Sequence, residues 1–254
     1  MRILVTGGAR RIGAGISRRL ALRGHRIAIH HHHSPEDAEA LRGQIIAAGG
    51  TACIVSGELE EAATAIALID AARTGLDGPI DGLVNNASLF AFDALPLTDF
   101  ALLDKHMRIN LGAPVALASA LAAQDDLGHG AVVNLLDQKL ANLNPDFLTY
   151  TCSKAALAAA TEMMAQALSP RIRVNAVSPG LTLPSLDQSP EEFAEHSREN
   201  LLQQPVALDD IAATVEHLLT CPSITGQNIF IDCGQRFLKR DGDVMFSGRE
   251  RPHG

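Results

Sequence analysis

The arrangement of apolar segments constrains the fold of this chain more than any other feature. Seven short and almost continuously apolar runs are predicted to be β-strands, at 2–6, 26–30, 52–56, 82–86, 131–136, 173–177 and 228–232. Between the first six lie Ala- and Leu-rich stretches with a 3.6-residue period, predicted to be helices at 11–23, 35–48, 60–74, 99–122 and 150–168. Strands that are apolar on both faces and alternate with helices are typical of a parallel sheet that helices cover on both sides. The chain is therefore predicted to form a doubly wound α/β sheet with right-handed crossovers.

Composition narrows the class of protein. The chain has 254 residues, of which 46% are hydrophobic and 20% charged, as in ordinary soluble globular proteins. Without an internal repeat or a Pro/Gly/Ser-rich linker, one domain is the better count. A formal net charge of −8 argues against a nucleic-acid partner and against docking on an anionic membrane.

Compartment and metal content are also indicated by what the sequence contains. No apolar run approaches the roughly 20 residues of a membrane helix, and the N-terminus has no signal-peptide pattern. The four cysteines lack paired short spacings, so neither a zinc site nor a disulfide framework is signalled. We expect a cytoplasmic protein with free thiols and no bound metal.

A glycine-rich loop, TGGARRIG at 6–13, follows the first strand and precedes the first helix. Gly7 and Gly13 permit a tight turn and the close backbone approach that a pyrophosphate needs, and the helix N-terminus offers its amides to the phosphates. The alternative is a turn with a structural role only. The position of the loop, after the first strand and before the first helix, favours a dinucleotide site.

The end of the second strand bears on cofactor choice. NAD enzymes carry an acidic residue there for the ribose 2′-hydroxyl, whereas this chain has four histidines at 30–33, followed by Ser34. With Arg10 and Arg11 in the loop, these donors suit the 2′-phosphate of NADP, which would also favour protonated imidazole. An affinity tag or a metal site would also contain such a run. A tag is less favoured because the run is internal and continues a strand. A metal site is less favoured because alternate residues of a strand point to opposite faces.

The single tyrosine of the chain, Tyr150, lies four residues before Lys154 on a predicted helix. That spacing places both side chains on one face, where the ammonium is expected to lower the phenol pKa from about 10 toward the working range. Asp137, at the end of the fifth strand, could reach the same phenol. An ordinary helix with this spacing by chance is the alternative, since the pair alone is a weak signal.

Two further groups of residues fall near the carboxyl edge of the predicted sheet, where open α/β sheets bind ligands. The fourth strand ends in NNASLF at 85–90, and Phe90 is either core filler or a flat wall of the pocket. Asn110 lies inside the helix 99–122, where an amide is a poor helix former. It supports a water or the Lys154 ammonium, or it faces solvent.

The last third of the chain contains a proline-rich segment and a charged tail. Residues 181–205 follow a strand end and are predicted to be a lid over the pocket, with a short helix near 190–202 that Ser189 caps. The main domain is expected to span 1–237. The tail 238–254 is predicted to be disordered, at least over its last ten or so residues, or to dock on a neighbouring subunit.

Together these pieces resemble the short-chain dehydrogenase/reductase family over nearly the whole chain. The resemblance rests on the loop at 6–13, NNAS at 85–88, Asn110, Tyr150 with Lys154, SPG at 178–180 and the close ITGQNIFIDCG at 224–234. It implies a single Rossmann-type doubly wound sheet of about seven strands and a homotetramer. It also implies that Tyr150 is the general acid, that Lys154 tunes it and binds the nicotinamide ribose, and that Asn110 holds a proton-relay water.

Two departures from the usual family pattern resemble its pteridine reductase branch, which includes dihydromonapterin reductases. Asp137 stands where most members have a catalytic serine, and Arg11 stands in the glycine loop where most have a small residue. The branch also has a His-rich strand end followed by serine and an NNAS-x-F run. His33 replaces the arginine that usually follows the His run, and Glu58-Leu59 replaces an Asp-Leu pair near the adenine.

The resemblance implies two sets of contact residues. Those expected at the cofactor NADP(H) are Gly7, Arg10, Arg11, Ile12, Gly13, His32, His33, Ser34, Glu58, Leu59, Asn86, Ala87, Ser88, Tyr150, Lys154, Pro179, Gly180 and Thr182. Those expected at the substrate are Arg11, Ser88, Phe90, Asp137, Tyr150 and Leu181, with Phe90 stacking on a pterin.

There is a chemical reason for an aspartate, rather than a serine, at position 137. A carboxylate beside a ketone oxygen would repel the developing oxyanion, whereas reduction of a pterin C=N bond needs a proton on a ring nitrogen. Asp137, kept partly protonated by its surroundings or sharing a proton with Tyr150, would serve the second reaction. The hypothesis is therefore NADPH-dependent reduction of a dihydropterin or dihydrofolate. A carbonyl or 3-oxoacyl reductase of the same fold, and an NADP-binding sensor without catalysis in which Asp137 is only structural, are the alternatives.

Overall fold

A single parallel sheet of seven strands forms the centre of the molecule. The computed structural model describes residues 1–97, 100–184 and 189–246. Within these, the strands are β1 (Arg2–Val5), β2 (Arg26–His31), β3 (Thr51–Ser56), β4 (Gly82–Asn85), β5 (Gly130–Leu135), β6 (Ile172–Pro179) and β7 (Asn228–Ile231). Their order is β3-β2-β1-β4-β5-β6-β7, and every neighbouring pair is parallel. The predicted fold class and all seven predicted strands are confirmed.

Helices cover both faces of the sheet. They are α1 (Arg11–Leu22), α2 (Pro35–Ala47), α3 (Ala62–Leu76), α4 (Ala101–Met107), α5 (Ala113–Ala122), α6 (Leu148–Ala167), α7 (Pro190–His196) and α8 (Leu208–Thr220). In β1, Ile3 and Val5 pack into the core that α1, α2 and α8 line, while Leu4 packs on the opposite side against α3, α5 and α6. Because successive strand residues point to opposite faces, burial on both sides explains why the inner strands are largely apolar.

The predicted long helix 99–122 contains a π-turn in the described region. Between α4 and α5 lies one π-turn, Arg108–Gly112, in which the Ala113 amide donates to the Arg108 carbonyl five residues earlier. Pro114 has no N–H to donate to the Asn110 carbonyl, so an unbroken α-helix would lose that hydrogen bond. Residues 101–122 are helical throughout, as predicted, but the sequence pattern did not predict the π-turn, for which Pro114 supplies the physical reason. Residue 99 lies outside the described residues.

The proline-rich segment contains the short helix that was predicted. It is α7, and Ser189 caps it in a reciprocal arrangement, since its hydroxyl accepts from the Glu192 amide while the Glu192 carboxylate accepts from the Ser189 amide. The helix ends at His196, before the predicted end at 202. Residues 185–188 of the predicted lid and 247–254 of the tail lie outside the described residues, as does most of the segment predicted to be disordered.

In the described ranges, no helix combines the length and the apolar character needed to cross a bilayer.

Candidate active site

The glycine loop lies where the strand order reverses, between β1 and β4. Gly7 has a φ of +58°, and the side-chain nitrogen Nδ2 of Asn86 donates to the carbonyls of Thr6 and Gly7 at 2.9 and 3.1 Å. A Cβ atom on Gly13 would lie 2.2 Å from the Gly7 carbonyl oxygen, so only glycine fits there. The open backbone and the α1 N-terminus beside it form a cradle of the kind that takes a dinucleotide pyrophosphate.

Arg11 is a second unusual backbone position of this loop. Its φ is +51°, in a region that non-glycine residues rarely occupy. Its guanidinium donates to the Pro184 carbonyl at 2.9 Å, which links the loop to the start of the lid. Strained positions of this kind cluster at ligand sites.

His30 was not predicted to have a role of its own, yet its side chain accepts a hydrogen bond from the backbone of the glycine loop. The Gly7 amide donates to His30 Nδ1 at 3.1 Å, and His30 Nε2 lies 3.0 Å from the Gly57 carbonyl oxygen. Because Nδ1 accepts, the proton belongs on Nε2, which donates to Gly57. Burial lowers the pKa of His30 to about 4, so the ring is neutral near pH 7. In the sequence, His30 could not be distinguished from the three histidines that follow it.

His30 is therefore expected to make stability depend on pH. Since its pKa is lower in the folded than in the unfolded state, its stabilising contribution is present above about pH 6.5 and is lost as pH falls toward about 4. Between pH 7 and about 4.5, the free energy of unfolding of His30→Gln should fall by roughly 2 kcal/mol less than that of the wild type. Denaturant unfolding measures this. The exposed His129→Gln should behave like the wild type, and equal pH dependence of all three proteins would contradict the account.

The other predicted 2′-phosphate contacts lie at the start of α2. His31 is buried, whereas His32 and His33 are exposed and their ring centroids are 3.4 Å apart. Ser34 is the N-cap residue of α2, and Asp37 in its first turn forms an ion pair with Arg10 at 3.3 Å. Beyond β3, Glu58 is exposed and Leu59 packs against the core.

No group of three or more His, Cys, Asp or Glu side chains among the described residues is arranged to hold a metal.

Tyr150, Asp137 and Lys154 lie together beyond the end of β5. The Tyr150 hydroxyl donates to Asp137 Oδ2 at 2.8 Å, and Asp137 Oδ1 accepts from the Lys139 amide at 2.8 Å. Lys154 Nζ lies 5.8 Å from the centroid of the tyrosine ring and donates to the Leu135 carbonyl at 2.8 Å. Both Tyr150 and Lys154 are buried. The structure thus brings together three of the four residues predicted to perform the chemistry.

Burial dominates the electrostatics of this cluster. It raises the pKa of Asp137 above its ordinary value, and burial together with the Asp137 charge raises the pKa of Tyr150 well above 10. Burial lowers the pKa of Lys154 to about 8. The expectation that Lys154 lowers the phenol pKa was wrong here, because desolvation and the neighbouring carboxylate outweigh the ammonium. Near pH 7 the phenol is neutral and acts as a hydrogen-bond donor.

Asn110 is fully enclosed in the π-turn. Its side-chain oxygen accepts from the Leu89 amide and the Ser88 hydroxyl, and its amide nitrogen donates to the Leu89 carbonyl and to Ser153 Oγ. The predicted alternatives of a contact with Lys154 or exposure to solvent were wrong, since this side chain anchors the segment after β4. The Ser88 hydroxyl, predicted to contact substrate, turns toward Asn110.

Phe90 forms one wall of the cavity and is 46% exposed, so the core-filler alternative was wrong. Its ring stacks on Phe147 with centroids 4.3 Å apart and meets Tyr150 edge-on at 4.8 Å. Phe147 was missed in the sequence. It has a φ of +56°, precedes α6 and packs its other side against Phe246 at 5.8 Å. No periodic pattern distinguishes such a residue in a loop.

A cavity of about 190 Å³ opens between these groups. Several predicted contact residues line it: Arg11, Ile12, Phe90, Asp137, Tyr150, Pro179, Gly180, Leu181 and Thr182. Other residues that line the cavity come from the C-terminal part of the chain and the turn after Asp137. They were not predicted from the sequence: Lys139, Gln235, Arg240, Asp243, Val244 and Met245. The described part of the tail therefore packs beside the cavity of its own chain.

A seven-stranded parallel sheet with a glycine cradle at its switch point and a Tyr–Lys pair beyond β5 defines a dinucleotide-dependent oxidoreductase class. The family model described as short chain dehydrogenase matches residues 1–194, and the chain belongs to the short-chain dehydrogenase/reductase family.

Two kinds of relative stand out. FolM alternative dihydrofolate reductase 1 from Brucella suis, solved in complex with NADP, is 44% identical over 94% of this chain and 96% of its own, with a TM-score of 0.89. A putative ketoacyl reductase 2 of granaticin polyketide synthase from Streptomyces violaceoruber is 33% identical over 92% of this chain and 96% of its own. A 3-oxoacyl-[acyl-carrier-protein] reductase from Staphylococcus aureus is 31% identical over 91% of this chain and 96% of its own.

Proposed function

We propose that this protein reduces a dihydropterin, such as dihydromonapterin, dihydrobiopterin or dihydrofolate, to its tetrahydro form with NADPH. The observation that carries the proposal is the 2.8 Å hydrogen bond between Tyr150 and the half-buried Asp137 carboxyl group. A ketone reductase gains from a neutral hydroxyl donor at the substrate oxygen, which an ionised carboxylate would repel. A half-buried carboxyl group of raised pKa instead suits proton delivery to a ring nitrogen.

The cofactor we infer is NADP(H). The glycine cradle accommodates a pyrophosphate, and the end of β2 presents His32, His33 and Ser34, with Arg10 nearby, in place of an acidic residue. The FolM protein at 44% identity, which was crystallised with NADP, supports the same inference. When bound, the nicotinamide supplies the hydride.

The residues of this chain supply the rest of the chemistry. Asp137, in its acid form, delivers a proton to the substrate and then takes up a proton from solvent. The neutral Tyr150 hydroxyl orients that carboxyl group through its hydrogen bond. Lys154 places a buried positive charge beside the phenol. The exposed face of Phe90 gives a flat heteroaromatic ring a surface on which to stack.

A carbonyl or 3-oxoacyl reductase is the second candidate. The relatives from Streptomyces violaceoruber and Staphylococcus aureus favour it, at 33% and 31% identity. The two candidates differ at Asp137, since a 3-oxoacyl substrate requires an oxyanion that the carboxylate would disfavour.

Ligand binding tests the proposal without turnover. In the presence of NADP⁺, methotrexate (a pterin analogue) or a dihydropterin should bind in a saturable way, followed by the fluorescence of the ligand. The chain has no tryptophan, so its own emission interferes little. Absence of pterin binding, alongside binding of a 3-oxoacyl thioester, would contradict the proposal.

Phe90 provides a sharper version of this measurement. Phe90→Ala should weaken pterin affinity by roughly tenfold, because it removes one stacking surface worth about 0.5–1.5 kcal/mol beyond its buried area. Phe100→Ala is the matched control, since Phe100 is 62% exposed at the start of α4. It should bind like the wild type, and equal affinities for all three proteins would exclude Phe90 from the pterin site.

The likeness to the family also supports a homotetramer in the cytoplasm, with the catalytic domain at 1–237 and the lid at 181–205. We infer this assembly for the native protein, and sedimentation equilibrium tests it.

A further inference from the structure

The C-terminal segment, defined here as residues 238–246, is bound to the turn that carries Asp137. Lys139 Nζ donates to Asp243 Oδ2 at 2.8 Å and to the Asp146 carbonyl at 2.7 Å. The Asp243 amide donates to Asp146 Oδ2 at 2.7 Å, and the Asn142 side chain donates to the Leu238 carbonyl at 2.8 Å. Stacking of Phe246 on Phe147 completes the attachment.

This attachment brings a second carboxylate to the cavity. Lys139 is only 4% exposed, and its ion pair with Asp243 has side-chain exposures of 5% and 18%. The same lysine donates its backbone amide to Asp137 Oδ1, so one residue connects the two aspartates. Lys139, Asp137 and Asp243 all line the cavity. Charges in such a poorly solvated place act on one another strongly.

We propose that Asp243 is a positioning residue for the reduction, which holds Lys139 in an ion pair and keeps Asp137 in the acid form that delivers the proton. This inference rests on the proposed function. The Asp243 charge opposes ionisation of Asp137, and it neutralises the ammonium that would otherwise favour ionisation. The raised pKa of Asp137, to which Asp243 contributes after burial, agrees with this geometry.

Other charged and titratable groups also lie around Asp137. Tyr150 and Lys154 face it from α6, and Lys139 faces it from its own turn. Asp146 contacts Lys139 and Asp243, while Arg11 and Arg240 line the same cavity. Arg240 is paired with Glu199, and Glu199 also accepts from His196 on α7. Asp243 is thus the carboxylate that the tail contributes to this cluster.

The test is the pH dependence of Asp243→Asn. Its alkaline loss of kcat/KM for a dihydropterin should move to lower pH by about one unit, because Lys139 is left without its partner carboxylate. The double variant Lys139→Met/Asp243→Asn removes both charges and should return the midpoint toward the wild-type value. Asp243→Glu, which keeps the charge, should stay near the wild type. A role in folding alone would lower kcat without moving the midpoint.

A second readout does not depend on catalysis. In protein labelled with ¹³C at the aspartate carboxyl groups, the Asp137 signal is identified by its loss in Asp137→Asn and titrated with pH. Asp243→Asn should lower its midpoint, and the double variant should restore it. If Asp243→Asn does not fold, Lys139→Met is compared with the double variant, and its midpoint should be the higher. Unchanged midpoints would overturn the inference, whereas absence of pterin turnover in the wild type would overturn only the proposed function.

Discussion

Asp137→Ser should lower kcat for a dihydropterin by roughly 10²–10⁴-fold, the usual contribution of a positioned general acid. The variant restores the hydroxyl typical of the family but removes the carboxyl group that bonds to Tyr150 at 2.8 Å. A serine hydroxyl is too weak an acid to protonate a ring nitrogen near neutral pH. Steady-state oxidation of NADPH measures the loss, and NADP⁺ affinity should change little.

The same variant separates the two candidate reactions. If the protein is a carbonyl reductase, Asp137→Ser should keep or raise activity toward a 3-oxoacyl substrate, because the repulsive carboxylate is gone. Asp125→Ser is the matched control, since Asp125 is exposed in the loop before β5. It should retain wild-type kinetics. Full pterin activity in Asp137→Ser would contradict the role given to the carboxyl group.

Tyr150→Phe should also lower kcat by roughly 10²–10⁴-fold, because it removes the hydroxyl that donates to Asp137. The phenylalanine keeps the ring and its edge contact with Phe90, 4.8 Å between centroids. Cofactor binding should therefore remain, and titration with NADPH checks it. A sensor without catalysis would be indifferent to this change, so unaltered behaviour with no turnover in either protein would favour the sensor.

A pH profile of the wild type supports the interpretation of Tyr150→Phe. Asp137 must hold its proton to act as the acid, so kcat should decline as pH rises through its raised pKa. Lys154 loses its charge as pH rises through about 8 and should contribute to the same alkaline decline. Activity that increases with pH across this range would contradict proton delivery by Asp137.

Much of the fold follows from local sequence patterns. The inner strands are predictable because burial on both faces makes them largely apolar. The observed β6 begins one residue earlier than predicted, where Ile172 pairs with β5, and ends two residues later, where Ser178 and Pro179 pair with β7. The π-turn at 108–112 was missed because periodicity continues across it. Pro114 breaks one hydrogen bond without changing the apolar pattern.

The candidate site was predictable where chemistry depends on residue type, as for Tyr150, Lys154 and Asp137. It was not predictable where the role depends on three-dimensional contacts. His30 looks like its three neighbours in the sequence, and only burial and its bonds to Gly7 and Gly57 distinguish it. Asp243 lies 104 residues from its partner Lys139, and no local pattern records such a pairing.

The most direct test of the central claim compares two classes of substrate, dihydropterins and carbonyl compounds, with one preparation of the protein. The kcat/KM for NADPH-dependent reduction is measured with dihydromonapterin, dihydrobiopterin and dihydrofolate, and with a 3-oxoacyl thioester and a simple ketone. Pterin reduction by the hydrogen-bonded Asp137–Tyr150 pair predicts turnover of at least one dihydropterin, with a higher kcat/KM than for either carbonyl compound. Turnover of the carbonyl compounds, with none of the pterins reduced, would contradict it.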